Sequence, residues 1–273
     1  MRCRGFVIWI VLAACVAAPA VADPPKRLLL LGQEPDNHPP ASHEYLPGLR
    51  ILDALLADVD AVDTRLVVAD VAWADSENLL ASADGAVVFL SQGAQCMSAE
   101  PARIAAFQAL AARGGGLAVL HWGMGTKPAE NIGVFVELFG GCHGGPDRKY
   151  QVVETTLRPT AAVHPVLRGV TAVDVHDEFY YRLKQPAAGP APTPLLEAEI
   201  DGTWETVGWA WQRADGGRSF GFSGLHFHKN WEQEAYRRAV LQGVLWSVGV
   251  EIPDGGMPVD VDADVLALPA PNP

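Results

Sequence analysis

The feature that most limits the fold is an alternation in the first half of the chain, where apolar runs of strand length are separated by segments with helical spacing. Residues 27–32, 64–68, 85–91 and 116–120 are largely apolar without a polar alternate, the pattern of strands covered on both faces. Between them, Leu49, Leu52, Leu55, Leu56 and Val59 recur at helical spacing after Ser42, which is placed to cap that helix. Ile104, Phe107 and Leu110 do the same after Ser98-Ala99-Glu100-Pro101, with Ser98 as the cap and proline at a helix start. Strand, helix and strand at this spacing predict a parallel sheet with helices on both faces.

One of these strands ends in a special way. Gly114-Gly115-Gly116 leads into Leu117-Ala118-Val119-Leu120, which breaks at His121-Trp122-Gly123. In open α/β sheets ligands collect beyond the carboxyl ends of the strands, and a glycine-flanked elbow presents one side chain there. That side chain is His121.

The second half is less regular. Residues 149–157, 195–200, 206–211 and 218–224 have strand composition, 130–138 and 232–248 helical composition, and the proline-rich 185–194 reads as an exposed loop. Beyond Gly249 the chain is acidic and proline-rich. The predicted organisation is a leader over 1–22, one α/β domain over 23–250, and an extended or disordered tail over 251–273. At 273 residues and 49% hydrophobic, the chain can bury one large core. Its formal net charge of −12 argues against a surface that tracks phosphates, so nucleic acid is not an expected partner.

The leader has the three parts of a secretory signal: Arg2 and Arg4, an apolar run, and Ala20-Val21-Ala22 before Asp23. Ala20-x-Ala22 predicts a soluble, periplasmic chain. Leu12-Ala13-Ala14-Cys15 resembles a bacterial lipobox and gives the alternative, a lipoprotein anchored at Cys15, the one route to a membrane. The apolar residues after Cys15 weigh toward soluble export. Cys96 and Cys142 then remain, as a disulfide or as two buried thiols.

Five polar clusters are candidates for chemistry: His38 with His43-Glu44, His121, Cys142-His143, His176-Asp177-Glu178, and His226-Phe227-His228. On an extended chain His226 and His228 share a face, so both imidazoles would point one way. Each cluster also has an ordinary reading: a surface pair around Phe227, a satisfied buried His121, a turn at Cys142-His143, a strand edge at Asp177-Glu178. No fixed-spacing metal motif occurs, which leaves a scattered histidine and carboxylate site for a divalent ion such as zinc, manganese or iron. Its candidate ligands are His121, His226, His228 and Glu178.

A series of short motifs in order carries a resemblance: His38-Pro39-Pro40-x-x-His43-Glu44-Tyr45, Gly115 through Trp122, Phe139-Gly140-Gly141, His164-Pro165-Val166-Leu167-Arg168-Gly169, Asp177-Glu178-Phe179-Tyr180, Gly217-Arg218-Ser219-Phe220 and Gly224-x-His226. Over residues 27–250 the chain resembles the ThuA-like family, named from trehalose utilisation. That resemblance implies an α/β fold of the flavodoxin-like, class I glutamine amidotransferase-like kind, a three-layer sandwich with a mainly parallel central sheet. It also implies carbohydrate metabolism. Glutamine amidotransferases carry a nucleophilic cysteine at the elbow and a histidine in a late Phe-His-Pro-Glu segment. This chain has His121-Trp122-Gly123 and Phe227-His228-Lys229-Asn230 at those places, so hydrolysis of glutamine through an acyl-cysteine is not expected.

The leading expectation is an enzyme that processes a glycoside or keto-sugar derivative by acid-base or metal-assisted chemistry. His121, Glu178, His226 and His228 are its catalytic candidates, and His43, Glu44, Trp122, Asp177 and Tyr180 its substrate-binding candidates. The alternative is a non-catalytic carbohydrate binder, with Trp122, Tyr180, Tyr181, Trp209 and Trp231 stacked on sugar faces.

Overall fold

The four apolar runs of the first half are parallel strands in a computed structural model, which describes residues 23–70 and 73–268. The leader, Cys15 included, lies outside the described residues. In chain order the elements are β1 (Lys26–Gly32), α1 (Tyr45–Ala57), β2 (Val62–Val68), α2 (Ser76–Ser82), β3 (Gly85–Val88), α3 (Gly93–Ser98), α4 (Pro101–Ala112) and β4 (Gly116–Leu120). There follow β5 (Gly125–Thr126), α5 (Ile132–Phe139), β6 (His143–Gly144), β7 (Lys149–Pro159), β8 (Val173–Tyr181), β9 (Thr193–Ile200), β10 (Thr203–Gln212), β11 (Arg218–Phe222), α6 (Glu234–Ser247) and α7 (Ala263–Leu266).

Nine strands form one sheet in the order β2-β1-β3-β4-β11-β10-β9-β7-β8, and β5 with β6 makes a separate short pair. From β2 to β11 every ladder is parallel; from β11 to β8 every ladder is antiparallel. Successive side chains of a strand point to opposite faces. Leu28, Leu30, Val87, Ala118 and Leu120 accordingly enter one core, whereas Leu29, Leu31, Val88, Leu117 and Val119 enter the other. Helices α1 and α6 cover the first face, and α4 and α5 contribute to the second. Double coverage is the reason β1, β3 and β4 lack a polar alternate, since each fully buried leucine contributes roughly 1.5–3 kcal/mol, whereas β2 lies at the sheet edge with Asp63, Arg65 and Val68 exposed, so the expectation of burial on both faces fails there.

Three local expectations are revised. Ser42 does not cap α1: its hydroxyl donates to the Pro39 carbonyl, and the helix begins at Tyr45. Ser98 does not cap α4 either: it is the last residue of α3, a helix with no helical periodicity in Gly93-Ala94-Gln95-Cys96-Met97-Ser98, and α4 starts after Glu100 without a side-chain cap. The segment after Gly249 is built onto the domain: Ile252 and Val259 are buried in the α1/α6 core, and the Arg237 guanidinium donates to the Val259 carbonyl. Cys96 and Cys142 are both free and buried.

The antiparallel half turns back on the parallel half, and one carboxylate marks the junction. Asp177 of β8 is fully buried and accepts the amide N–H groups of Leu225, His226 and Phe227, that of Glu178, and the Tyr236 hydroxyl. It thereby clamps the loop after β11 against β8. Glu178 and Tyr180 meet the ends of β1, β4 and β11 as a result.

Candidate metal centre

Four side chains from four parts of the sequence converge at the carboxyl ends of the parallel strands: His43 from the loop after β1, His121 at the end of β4, Glu178 on β8 and His226 after β11. His43 Nε2 lies 3.1 Å from His121 Nε2 and 3.0 Å from His226 Nδ1, and the latter two atoms are 3.3 Å apart. Glu178 Oε2 completes the group at 3.5 Å from His226 Nδ1 and 3.8 Å from His121 Nε2.

The protonation of two of these rings is fixed from behind. His121 Nδ1 is 2.7 Å from the Ser223 carbonyl, which only accepts, so the proton is on Nδ1 and Nε2 presents a lone pair. His43 Nδ1 lies 2.8 Å from the Tyr45 hydroxyl oxygen and 3.2 Å from Asp36 Oδ2; the hydroxyl donates its one proton to that Asp36 oxygen at 2.8 Å, so both neighbours of Nδ1 are acceptors. Burial works to raise Asp36, but hydrogen bonds from Tyr45, His38 and His43 outweigh it and hold the carboxyl down at about 2. Asp36 is therefore an anion, and His43 Nε2 is also a lone pair. Two lone pairs 3.1 Å apart, with a third ring nitrogen beside them, repel, and a cation between the three relieves that repulsion. A tetrahedral ion with bonds of about 2.0–2.1 Å spaces its ligands by about 3.3–3.4 Å, close to the separations found.

Burial keeps the imidazoles neutral, which is the form that ligates. It lowers His43 to about 4 with help from His38, lowers His226 to about 3 with help from His43, and drives His121 well below its ordinary value. Backbone strain gathers at the same place: His43, Gln92, His121 and Leu225 all have positive φ. The donor set, three imidazoles and a carboxylate, suits zinc, manganese or iron. Asp36 orients His43 from behind, so Asp36→Ala is expected to weaken metal binding by roughly 10- to 100-fold in a metal titration.

A cavity of about 350 Å³ opens beside the group, lined by Asp36, His43, Trp122, His143, Glu178 and Tyr180 among others. The Tyr180 ring stacks between His121 and His143, with its hydroxyl 3.1 Å from His121 Nε2. A larger concavity of about 760 Å³, around Glu154, Asp174 and Glu199, contains none of the converging ligands.

Not every candidate residue joins the centre. His228 is the main correction: the chain bends at His226 and enters a 3₁₀ turn at His228–Glu232, so the two imidazoles do not share a face. His228 Nε2 instead donates to the Leu266 carbonyl. Glu44 accepts the Ala41 amide at the start of α1, and Asp177 is the buried clamp already described. Trp209, Trp231 and Tyr181 are core residues rather than sugar platforms. Conversely, Asp36 and Tyr45, which no candidate cluster contains, belong to the centre, and His38 and His143 of the candidate clusters line its cavity. The polar loop after the first strand, where such folds gather ligands, is the signal that could have found Asp36 and Tyr45.

With the geometry in place, comparison adds the relatives. A family model described as ThuA, trehalose utilisation, matches residues 37–247. A comparison with curated proteins returns no match. Among solved structures, a protein described as ThuA-like from Parabacteroides merdae has 16% identity and a TM-score of 0.62 over 88% of this chain and 94% of its own. A second from Bacteroides uniformis has 14% identity and a TM-score of 0.63 over 89% and 99%. A cytoplasmic protein from Salmonella typhimurium has 14% identity and a TM-score of 0.59 over 81% and 99%. At these identities the likeness is one of fold.

Proposed function

The chain belongs to the ThuA family, and from that membership together with the converging ligands we propose that it is an exported, metal-dependent enzyme acting on a glycoside or keto-sugar derivative. The observation that carries this reading is the meeting of His43, His121, His226 and Glu178, with two of the rings held in the ligating tautomer. The leader pattern supports periplasmic export of a soluble chain. When bound, a divalent ion would act as a Lewis acid on a carbonyl or hydroxyl oxygen of the substrate.

The residues divide the remaining work. Glu178 is farther from its neighbours than the imidazoles are from one another, and burial raises its pKa. Of the four groups it is therefore the one best suited to take a proton. A carbonyl two carbons from the glycosidic carbon acidifies the C–H on the carbon between them; the carboxylate accepts that proton, the electron pair forms a C=C bond to the glycosidic carbon, and the glycosidic C–O bond breaks. The departing oxygen takes a proton from a donor such as the Tyr180 hydroxyl or water. Trp122 offers an apolar ring in the cavity wall. No cysteine lines this cavity among the described residues, and burial raises the Cys142 thiol to about 12, so acyl-cysteine chemistry has no nucleophile.

Elemental analysis of the purified chain and a turnover assay on a 3-keto-glycoside test the reading. Glu178→Gln is expected to hold a cation through the three imidazoles at reduced affinity, and at saturating metal its turnover should still fall by about 10²- to 10⁴-fold. A wild-type chain that neither contains nor acquires zinc, manganese or iron would end it. Tight sugar binding by a metal-loaded chain without turnover would favour a binding protein.

A further inference from the structure

Among the cavity residues not needed to hold a cation are Lys127, Arg148, Gln92 and His143. Neither Lys127 nor Arg148 pairs with a carboxylate among the described residues; the adjacent Asp147 is engaged by Lys184 at 2.6 Å. The Arg148 guanidinium is steadied by one bond to the Gly145 carbonyl at 3.1 Å, which leaves the other donors of its fork unused. Beside it, His143 is 2% exposed, yet its Nδ1 has no partner, and Gln92 Oε1 is a second buried atom without one. Buried polar atoms without partners are costly, and at a cavity wall they mark groups that a ligand completes.

Charge decides what kind of ligand. Burial first, and the Arg148 charge second, lower His143 to about 3, so that ring is neutral and offers only hydrogen bonds. Asp36 and Glu178 face the histidines and would balance a divalent ion. Lys127 and Arg148 then stand uncompensated in a chain whose net charge is −12. A planar guanidinium fork matches a carboxylate or a phosphate, and a lysine adds a point charge.

We propose that the substrate is a carbohydrate with an anionic substituent, a carboxylate or phosphate, held by Lys127 and Arg148 while Gln92 and His143 receive its hydroxyls. This rests on the reading of the cavity as the carbohydrate site, and narrows it to acidic sugars.

Calorimetric titration with methyl glucoside, glucuronate and glucose 6-phosphate tests it. The metal-loaded and the chelator-treated chain are each measured, at low salt and at about 0.5 M salt. At least one anion should bind about tenfold tighter than the neutral glycoside, and the stronger of the two anions identifies the group. Lys127→Gln/Arg148→Gln, with metal content unchanged, should remove that preference, as should high salt; the exposed Lys127→Gln alone should remove part of it. Equal affinity for charged and neutral sugars, including no binding of any, overturns the proposal. So does a preference that survives in the double variant, because the anion then sits on the cation alone. The chelator-treated arm keeps the two readings apart: a chain without metal chemistry that still prefers anions would fail the first and support the second.

Discussion

His121→Ala is expected to lose its cation and its turnover together. His121 Nε2 is the shared atom of the centre, close to His43, His226, Glu178 and the Tyr180 hydroxyl at once. If the ~10–16 kcal/mol typical of zinc bound by four ligands is divided evenly, one ligand is worth about 3 kcal/mol, or about two orders of magnitude in affinity. The same substitution strips the Ser223 carbonyl of its donor in a fully buried place, at a cost to stability of about 1–3 kcal/mol. Two controls separate the effects. Added imidazole should restore part of the metal binding in the cavity left behind. His228→Ala, whose ring bonds the C-terminal segment, should loosen that segment and leave the cation in place. Metal content by elemental analysis and turnover on the 3-keto-glycoside decide the matter: a His121→Ala chain active at the wild-type rate rules out a metal role for this residue.

The contrast between His121 and His228 also shows how far sequence reaches. The parallel half was legible because double burial writes itself as continuous apolar runs, and His121 was legible because glycines on both sides of a strand end announce an elbow. The antiparallel half was not legible in its order, since β9 pairs with β7 and leaves β8 at the sheet edge, a choice no local pattern encodes. His228 was placed with His226 on the premise of an extended chain, and a single turn undid it. Asp177 and Glu178 are a subtler case. Alternation along β8 requires that adjacent acids face opposite ways, but only the fold decides which one becomes the clamp for residues 225–227 and which one enters the centre. Asp36 was missed because its importance comes from bonding the back of His43, a relation that a polar loop does not spell out.

The same burial that readies the imidazoles predicts a pronounced acid lability. His43 is lowered to about 4 and His226 and His143 to about 3, against an ordinary value of 6.5. His121, His164 and His228 are lowered too, so six of the eight histidines resist protonation in the folded chain. Between pH 6.5 and about 4 the unfolded chain therefore binds more protons than the folded one, and stability falls as pH falls, by up to about 1.4 kcal/mol per pH unit for each buried group. Asp177, raised to about 7 by burial, works in the opposite direction, since the folded chain takes its proton first and gains stability as pH drops below 7. Glu178 is also raised. Two acids do not offset six histidines. Against a total stability of about 5–15 kcal/mol, the imbalance is large enough to lower the stability of the cation-free chain measurably within that window. A bound cation opposes this at neutral pH by binding only the folded form, and protons displace it from the imidazoles on acidification. Urea midpoints measured from pH 7 to pH 4, with a chelator and with added zinc, should thus fall toward acid in both series. They should differ most at pH 7 and converge near the acid end. Midpoints that stay level in the chelated series would mean that the folded chain takes up protons over this range as readily as the unfolded one, and the burial assigned to the imidazoles would then not hold them neutral.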